Sequence, residues 1–343
     1  MIETEDYWIL DNKFIFKPHF NSSVDTYVDL ISQYDELIFS NYDDVNTCIE
    51  TNNEYNNKFN SYFEESMFDQ KFDLSLNLSK LLKLSKLTFG RYFNQKIILL
   101  EKLTYLTHLT FGFYFNQEVN LPPNLIYLVF GEYFNQKVEL PYNLTHLTFG
   151  FNFNQEVELP HNLTHLTFGF SFNQEVVLSP NLTHLTFGSN FNQEVVLPPN
   201  LTHLTFGISF NQEVELPPNL THLTFGWDFN KEVDLPFEIK CLKLNCNNKK
   251  IIDYLPNSIE ELVLDVDFNL ELNNLPSSIK KIFFQNGNYN QRLNCLPTNV
   301  EFIQLPYNYV LKIEKIPLRL KKIKCNARYK FIEDFSNIKV ETY

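Results

Sequence analysis

The chain has 343 residues, 44% of them hydrophobic and 16% aromatic, with 34 Phe and a formal charge of −13. That is too apolar for a disordered chain and too acidic for a protein whose main partner is nucleic acid, because phosphate binding draws on clustered Lys and Arg. No stretch approaches the apolar length of a membrane span, and the opening MIETEDYWILDNKF lacks a basic segment followed by an apolar run, so the expected setting is intracellular, cytoplasmic or nuclear, and a host cell if the source is viral.

In chain order, residues 1–66 hold one helical candidate, SSVDTYVDLISQYDELIF, with Ser22 as N-cap and apolar or aromatic positions at Val24, Tyr27, Val28, Ile31 and Tyr34. This segment is expected to be a small mixed α/β cap that hides the end of a stack. A degenerate half-unit, FDQKFDL, follows at Phe68 to Leu74. From Leu84 onward a period takes over. Gly112, Gly131, Gly150, Gly169, Gly188, Gly207 and Gly226 follow one another at intervals of nineteen. After Gly226 the glycine is lost, but the frame continues as LPNSIEELVL, LPSSIKKIFF, LPTNVEFIQL and IPLRLKKIKC. The expected organisation is a repeat solenoid of about thirteen units over residues 67–325, with 326–343 as a C-terminal cap or tail.

Each unit opens L-x-x-L-x-F, and the two-residue spacing of the last pair is strand spacing. Nineteen residues leave no room for a crossover helix, so stacked units predict a mainly parallel sheet with an extended, turn-rich convex side. The predicted inward set of one coil is Leu144, Leu147, Phe149, Phe153, Val157 and Leu159, with Phe115, Phe134, Phe153, Phe172, Phe191, Phe210 and Phe229 as a stacked spine. The Asn that follows each of these Phe residues is expected to form an amide ladder bonding the turning backbone. Asn143, Asn162, Asn181, Asn200 and Asn219 sit in NLT triplets, which are by-products of the repeat in an intracellular chain. Cys48, Cys241, Cys246, Cys295 and Cys325 are odd in number and contain no C-x-x-C pair, which points to reduced thiols.

The pattern LPxNLTHLTFGxxFNQ, densest from Leu106 to Val233, resembles the FNIP repeat family of amoebal and giant-virus proteins, which is related to leucine-rich repeats. The L-P-P-N-L-x-x-L-x-F portion is also similar to the short leucine-rich repeats of bacterial effectors. The resemblance implies a leucine-rich-repeat-like solenoid. Members of this family often carry an N-terminal F-box that recruits a ubiquitin ligase core; residues 1–66 show no leucine-proline opening followed by a run of apolar helices, so a divergent F-box is the alternative to the capping reading of this segment.

Strand alternation puts His146 and Thr148 on the open concave face, and repetition turns this into a ladder of His108, His146, His165, His184, His203 and His222, interrupted by Tyr127. Mutual repulsion should hold these imidazoles neutral at pH 7. The ladder lacks carboxylate or thiolate support, so no metal and no cofactor is expected. A Glu row at Glu118, Glu156, Glu175, Glu194, Glu213 and Glu232 reads as a solvated face. No nucleophile–base pair or phosphate loop stands out, and an enzyme is not expected. Repeats recognise partners where copies differ. One such set follows the glycine, at Phe113, Phe151, Phe170 and Trp227. A second lies on the last concave strands at Lys281, Phe283, Phe302, Lys322 and Lys324. Aromatics beside cations suit protein recognition. The reading is a monomeric, non-catalytic scaffold for protein partners, with a ubiquitin-ligase substrate receptor as its specific form and a self-associating structural protein as the alternative.

Overall fold

The computed structural model describes residues 2–17, 24–39, 76–77, 83–98, 100–265, 268–285 and 289–343. Ser22, Cys48 and the half-unit at 68–74 lie outside the described residues. The chain divides into two compact units, Met1–Leu163 and Thr164–Tyr343.

The first unit opens with an antiparallel hairpin, Tyr7–Leu10 against Lys13–Phe16, on which Ile2–Glu3 folds back. Asp11 makes the turn at φ 54°, a left-handed conformation that a short polar side chain tolerates. The helix predicted over 22–39 is confined, among described residues, to a 3-10 turn at Val24–Tyr27 and one α-turn at Val28–Ile31. Glu36–Phe39 is instead a parallel strand between Lys13–Phe16 and Lys86–Thr88. The reason is burial on both sides. Phe39 stacks between Phe16 and Phe89 at 5.2 and 5.8 Å, while Ile38 completes a small cluster with Trp8 and Ile15 on the other face. Such a doubly buried run favours a strand. The strands His108–Thr110, Tyr127–Val129 and His146–Thr148 then follow in unbroken parallel register.

The second unit is built from ten parallel strands between His165 and Thr342, each hydrogen-bonded to the next in sequence. Its helical pieces are short: Lys249–Asp253, capped by Asn248 accepting from Ile251 N–H, and the 3-10 turn Ile332–Phe335. The final strand, Lys339–Thr342, pairs with Lys322–Cys325.

Two Phe columns run through the regular coils. In the second unit Phe172, Phe191, Phe210 and Phe229 stack at 6.1, 6.1 and 6.0 Å. Phe168, Phe187, Phe206 and Phe225 stack beside them at 5.8, 5.7 and 5.8 Å, and the columns meet ring to ring within each coil, as in Phe187 and Phe191 at 3.8 Å. All eight rings are buried. Val157 and Leu159, placed inside by the sequence reading, are only half-buried. The two Phe rings of each coil already fill the interior, so the extended return path lies over them and keeps its own side chains partly in water.

The turning backbone is held by the expected amide ladder. Asn135 N–H donates to Asn116 Oδ1 and Asn154 N–H to Asn135 Oδ1, both at 2.9 Å. The second unit repeats this from Asn192 to Asn173 and from Asn211 to Asn192 at 2.9 Å. The glycine has a steric role. A Cβ on Gly188 would overlap the Gly169 carbonyl, so neighbouring coils approach as closely as they do only because that atom is missing. Where the glycine gives way to Asn245, Asp265 and Gln285, the coil is longer. Each of those residues donates its N–H to the preceding coil, to Phe225, Leu244 and Leu264 O at 3.1, 3.0 and 2.8 Å.

Candidate functional site

Each three-residue strand of the second unit sends its middle residue inward and its first and third residues to the open face of the sheet. In the regular coils of the second unit the first position is a histidine column. His165, His184, His203 and His222 stack at 4.3, 4.2 and 4.2 Å with planes within 13°. The Thr before each ring fixes it: Thr183 Oγ1 lies 3.1 Å from Thr164 O and 2.9 Å from His184 Nδ1. Thr202 and Thr221 repeat both contacts. The arrangement that satisfies both puts the hydroxyl proton on the carbonyl and the imidazole proton on Nδ1, which makes Nε2 the acceptor nitrogen of the ring.

His203 titrates below the usual histidine range, first because burial penalises the charged ring and then because His222, His184 and His165 lie beside it. His108 is lowered too, again chiefly by burial. The sequence reading had repulsion as the cause; burial is the larger one, since each ring is covered by its neighbours above and below. Among the described residues no three His, Cys, Asp or Glu side chains are grouped as a metal ion would need. The Cys241 and Cys246 thiols are poor nucleophiles. Burial, then Glu261, pushes Cys241 up to about 11, and burial pushes Cys246 up to about 11.

From Cys241 onward the open face changes character. The registers place Cys241, Glu261, Lys281, Phe302 and Lys322 in one column and Lys243, Val263, Phe283, Gln304 and Lys324 in the next. Phe283 and Phe302 are half-buried, their rings tilted against each other at 5.0 Å. Lys322 Nζ sits 5.3 Å from the Phe302 ring and 2.8 Å from Glu341. Lys281 pairs with Glu261 at 3.2 Å, and Lys243 with Asp265 and Gln285, both at 3.1 Å. Lys324 Nζ lies 4.6 Å over the ring of Tyr343, whose hydroxyl donates to Leu305 O at 2.6 Å. The five residues singled out here from sequence thus lie on three successive strands of one face. Sequence reasoning missed Asp265, Gln285, Glu341 and Tyr343. Glu341 falls in a last strand that carries no repeat motif, Tyr343 follows directly after it, and Asp265 and Gln285 replace the glycine just past the strand end.

The residues after the glycine are spread differently. Phe151 is 47% exposed, Phe170 39% and Trp227 56%. Phe113 is half-buried under Arg91, 4.7 Å from its ring, and beside Tyr114 and Tyr133. A Tyr92, Tyr114, Tyr133 column at 5.4 and 5.0 Å accompanies it, signalled in sequence by Tyr at the second place after each of three glycines.

The model of the FNIP repeat matches residues 115–152, 134–171, 172–209, 210–247 and 247–287. No curated protein is similar enough to count as a relative. Among solved structures, the chain is similar to CroV588, a giant-virus protein described as a novel circular LRR protein. The identity is 42% and the TM-score 0.59, over 72% of this chain and 40% of that one. It thus spans well under half of that neighbour's length. YopM from Yersinia enterocolitica also matches, at 17% identity and TM-score 0.44, over 71% of both chains. Among the described residues no helix is long and apolar enough to cross a membrane. Parallel strands repeating every nineteen to twenty-one residues, the doubled Phe columns and a family match running through the regular coils agree: the chain is a leucine-rich-repeat-like solenoid and belongs to the FNIP repeat family.

Proposed function

We propose that this chain is a non-catalytic protein-interaction scaffold whose partner docks on the open face of the last strands, at Lys281, Phe283, Phe302, Lys322 and Lys324. One observation carries this reading. The face is neutral and self-similar wherever the repeat is regular, and it becomes chemically distinct, with two half-exposed rings framed by cations, only there. Distinct partners need distinct side chains, and aromatics beside Lys are what protein interfaces use as anchors. Residues 1–66 act as the N-terminal cap and 326–343 as the C-terminal one. The described part of the first segment supports capping over ligase docking, because it continues the sheet with a hairpin and a strand. Service as a ubiquitin-ligase substrate receptor is the finer form of the same role and rests on the family resemblance alone. The strip at Phe113, Phe151, Phe170 and Trp227 is the second-ranked surface.

A selection of displayed random peptides on the immobilised full chain, repeated on the Phe283→Ser, Phe302→Ser variant, tests the location. Enriched peptides are expected to bind the unmodified chain at least about tenfold more tightly, a difference of ~1.4 kcal/mol. The variant should lose only about 1 kcal/mol of ring contact in stability. Enrichment that ignores the two substitutions, or none at all, overturns the proposed site.

A further inference from the structure

The charge of this protein is segregated. Residues 276–343 hold twelve Lys and Arg against five Asp and Glu, a net +7 on a chain of −13. Everything before residue 276 therefore carries −20. On the edge of the open face the charges cancel rung by rung, Lys280 with Glu260 at 2.6 Å and Lys321 with Glu301 at 2.8 Å. On the face itself Lys243 and Lys281 are paired as well, and the imbalance falls on the last strands. Glu341 serves two cations, Lys322 at 2.8 Å and Lys339 at 3.3 Å. Lys324 has no carboxylate partner among the described residues; it is half-buried, with its ammonium on the Tyr343 ring. The cation of the face without a carboxylate, Lys324, thus shares a strand with Lys322, whose ammonium lies 5.3 Å from the Phe302 ring.

We propose that the face receives an acidic segment of a partner protein, with one aromatic or branched apolar side chain on Phe283 and Phe302 and carboxylates at Lys324 and Lys322. The inference rests on the interaction reading above and adds the chemistry of the partner. An acidic segment is steered by the basic end of the chain and repelled by the rest, which fixes where it lands. A nucleic acid fits less well. Glu261, Asp265 and Glu341 stand on or beside the same face, and a continuous phosphate chain would cross them, whereas discrete carboxylates around one apolar residue would not.

The test uses the full chain and fluorescence anisotropy with three labelled probes: a peptide of about nine residues with Asp and Glu around one Phe, the same peptide with Ala for Phe, and a thymidine oligonucleotide of about twelve nucleotides. The Phe peptide is expected to bind, and the Ala peptide at least about tenfold more weakly. Lys324→Glu should weaken the Phe peptide by at least about tenfold, against less than about twofold for Lys315→Glu, which makes the same charge change at an exposed site away from the face. Equal losses in both variants, no binding of the Phe peptide, or tighter binding of the oligonucleotide would overturn the proposal. So would sedimentation showing self-association that Lys324→Glu abolishes, because the occupant would then be a second copy. If the display selection instead returns non-acidic peptides that need Phe283 and Phe302, the scaffold reading stands and this inference alone falls.

Discussion

Two stretches of the second unit solve the same stacking problem in opposite ways. From His165 to Phe229 each coil puts the same residue on top of its copy: imidazole on imidazole, phenyl on phenyl, amide on backbone. From Lys240 onward the rungs alternate, with Lys240, Glu260, Lys280, Glu301 and Lys321 in one row, and the acids Glu260 and Glu301 titrate below the usual carboxylate range because of hydrogen bonds from Lys280 and Lys321. Neutral planar groups gain by meeting themselves at strand spacing, through ring contact or amide hydrogen bonds. Charged groups gain only by meeting their opposites. On its partly buried open face this solenoid therefore repeats identically with neutral residues, while like charges repeat, as in the row Glu156, Glu175, Glu194 and Glu213, where the side chains are exposed to water. The proposed docking site draws on that difference between the two stretches.

The comparison is broken most severely at the spine. Phe191 is fully buried in contact with Phe172, Phe187 and Phe210, and Phe191→Ala should cost about 3–5 kcal/mol in chemical denaturation. A loss under about 1 kcal/mol would mean that the ring column does not hold the regular coils together. The alternating row gives a smaller effect. Lys280→Glu puts three acids on consecutive rungs and should lower Tm more than Lys280→Gln, and the difference should shrink in about 1 M salt. Equal Tm values for the two single variants would remove alternation as a register device. The smallest effect is expected from pH. Because the folded pKa of His203 lies below its unfolded value near 6.5, the neutral column contributes stability that is complete above about pH 6.5 and is lost as pH falls through the lower, folded value. Acid should thus turn a row of neutral copies into a row of like charges, and His203→Asn should flatten the fall in Tm between pH 7.5 and 5. A slope that this substitution leaves unchanged would place the acid sensitivity elsewhere.

Much of this was legible in the sequence. The L-x-x-L-x-F spacing located every regular strand, and the unvarying Asn identified its own ladder, because a period forces each residue to meet its copy. Legibility ended where the answer depended on more than the period. The half-exposure of Val157 and Leu159 follows from how two Phe rings fill one coil, which spacing cannot express. The strand at Glu36–Phe39 was hidden in a helical pattern because its burial partners, Trp8 and Phe89, are far away in the chain. At the candidate site the aromatics and lysines could be picked out, but Tyr343 and Glu341 could not. Their places are set by pairing of Lys339–Thr342 with Lys322–Cys325, a contact outside the repeat.

The amide ladder has a consequence for how such a chain grows. Asn192 accepts from the coil after it through its side chain and donates to the coil before it through its backbone, so each coil carries both halves of its connection. A duplicated block of nineteen codons inserted at any boundary between regular coils brings a complete plug and socket, and the neighbours on either side need no compensating change. The loss of one codon, by contrast, mismatches the plug and socket joined across the shortened coil. Gene duplication can thus lengthen the middle of this protein, while the unlike coils near the end, each fitted to a particular neighbour, cannot be copied without separating their charge pairs.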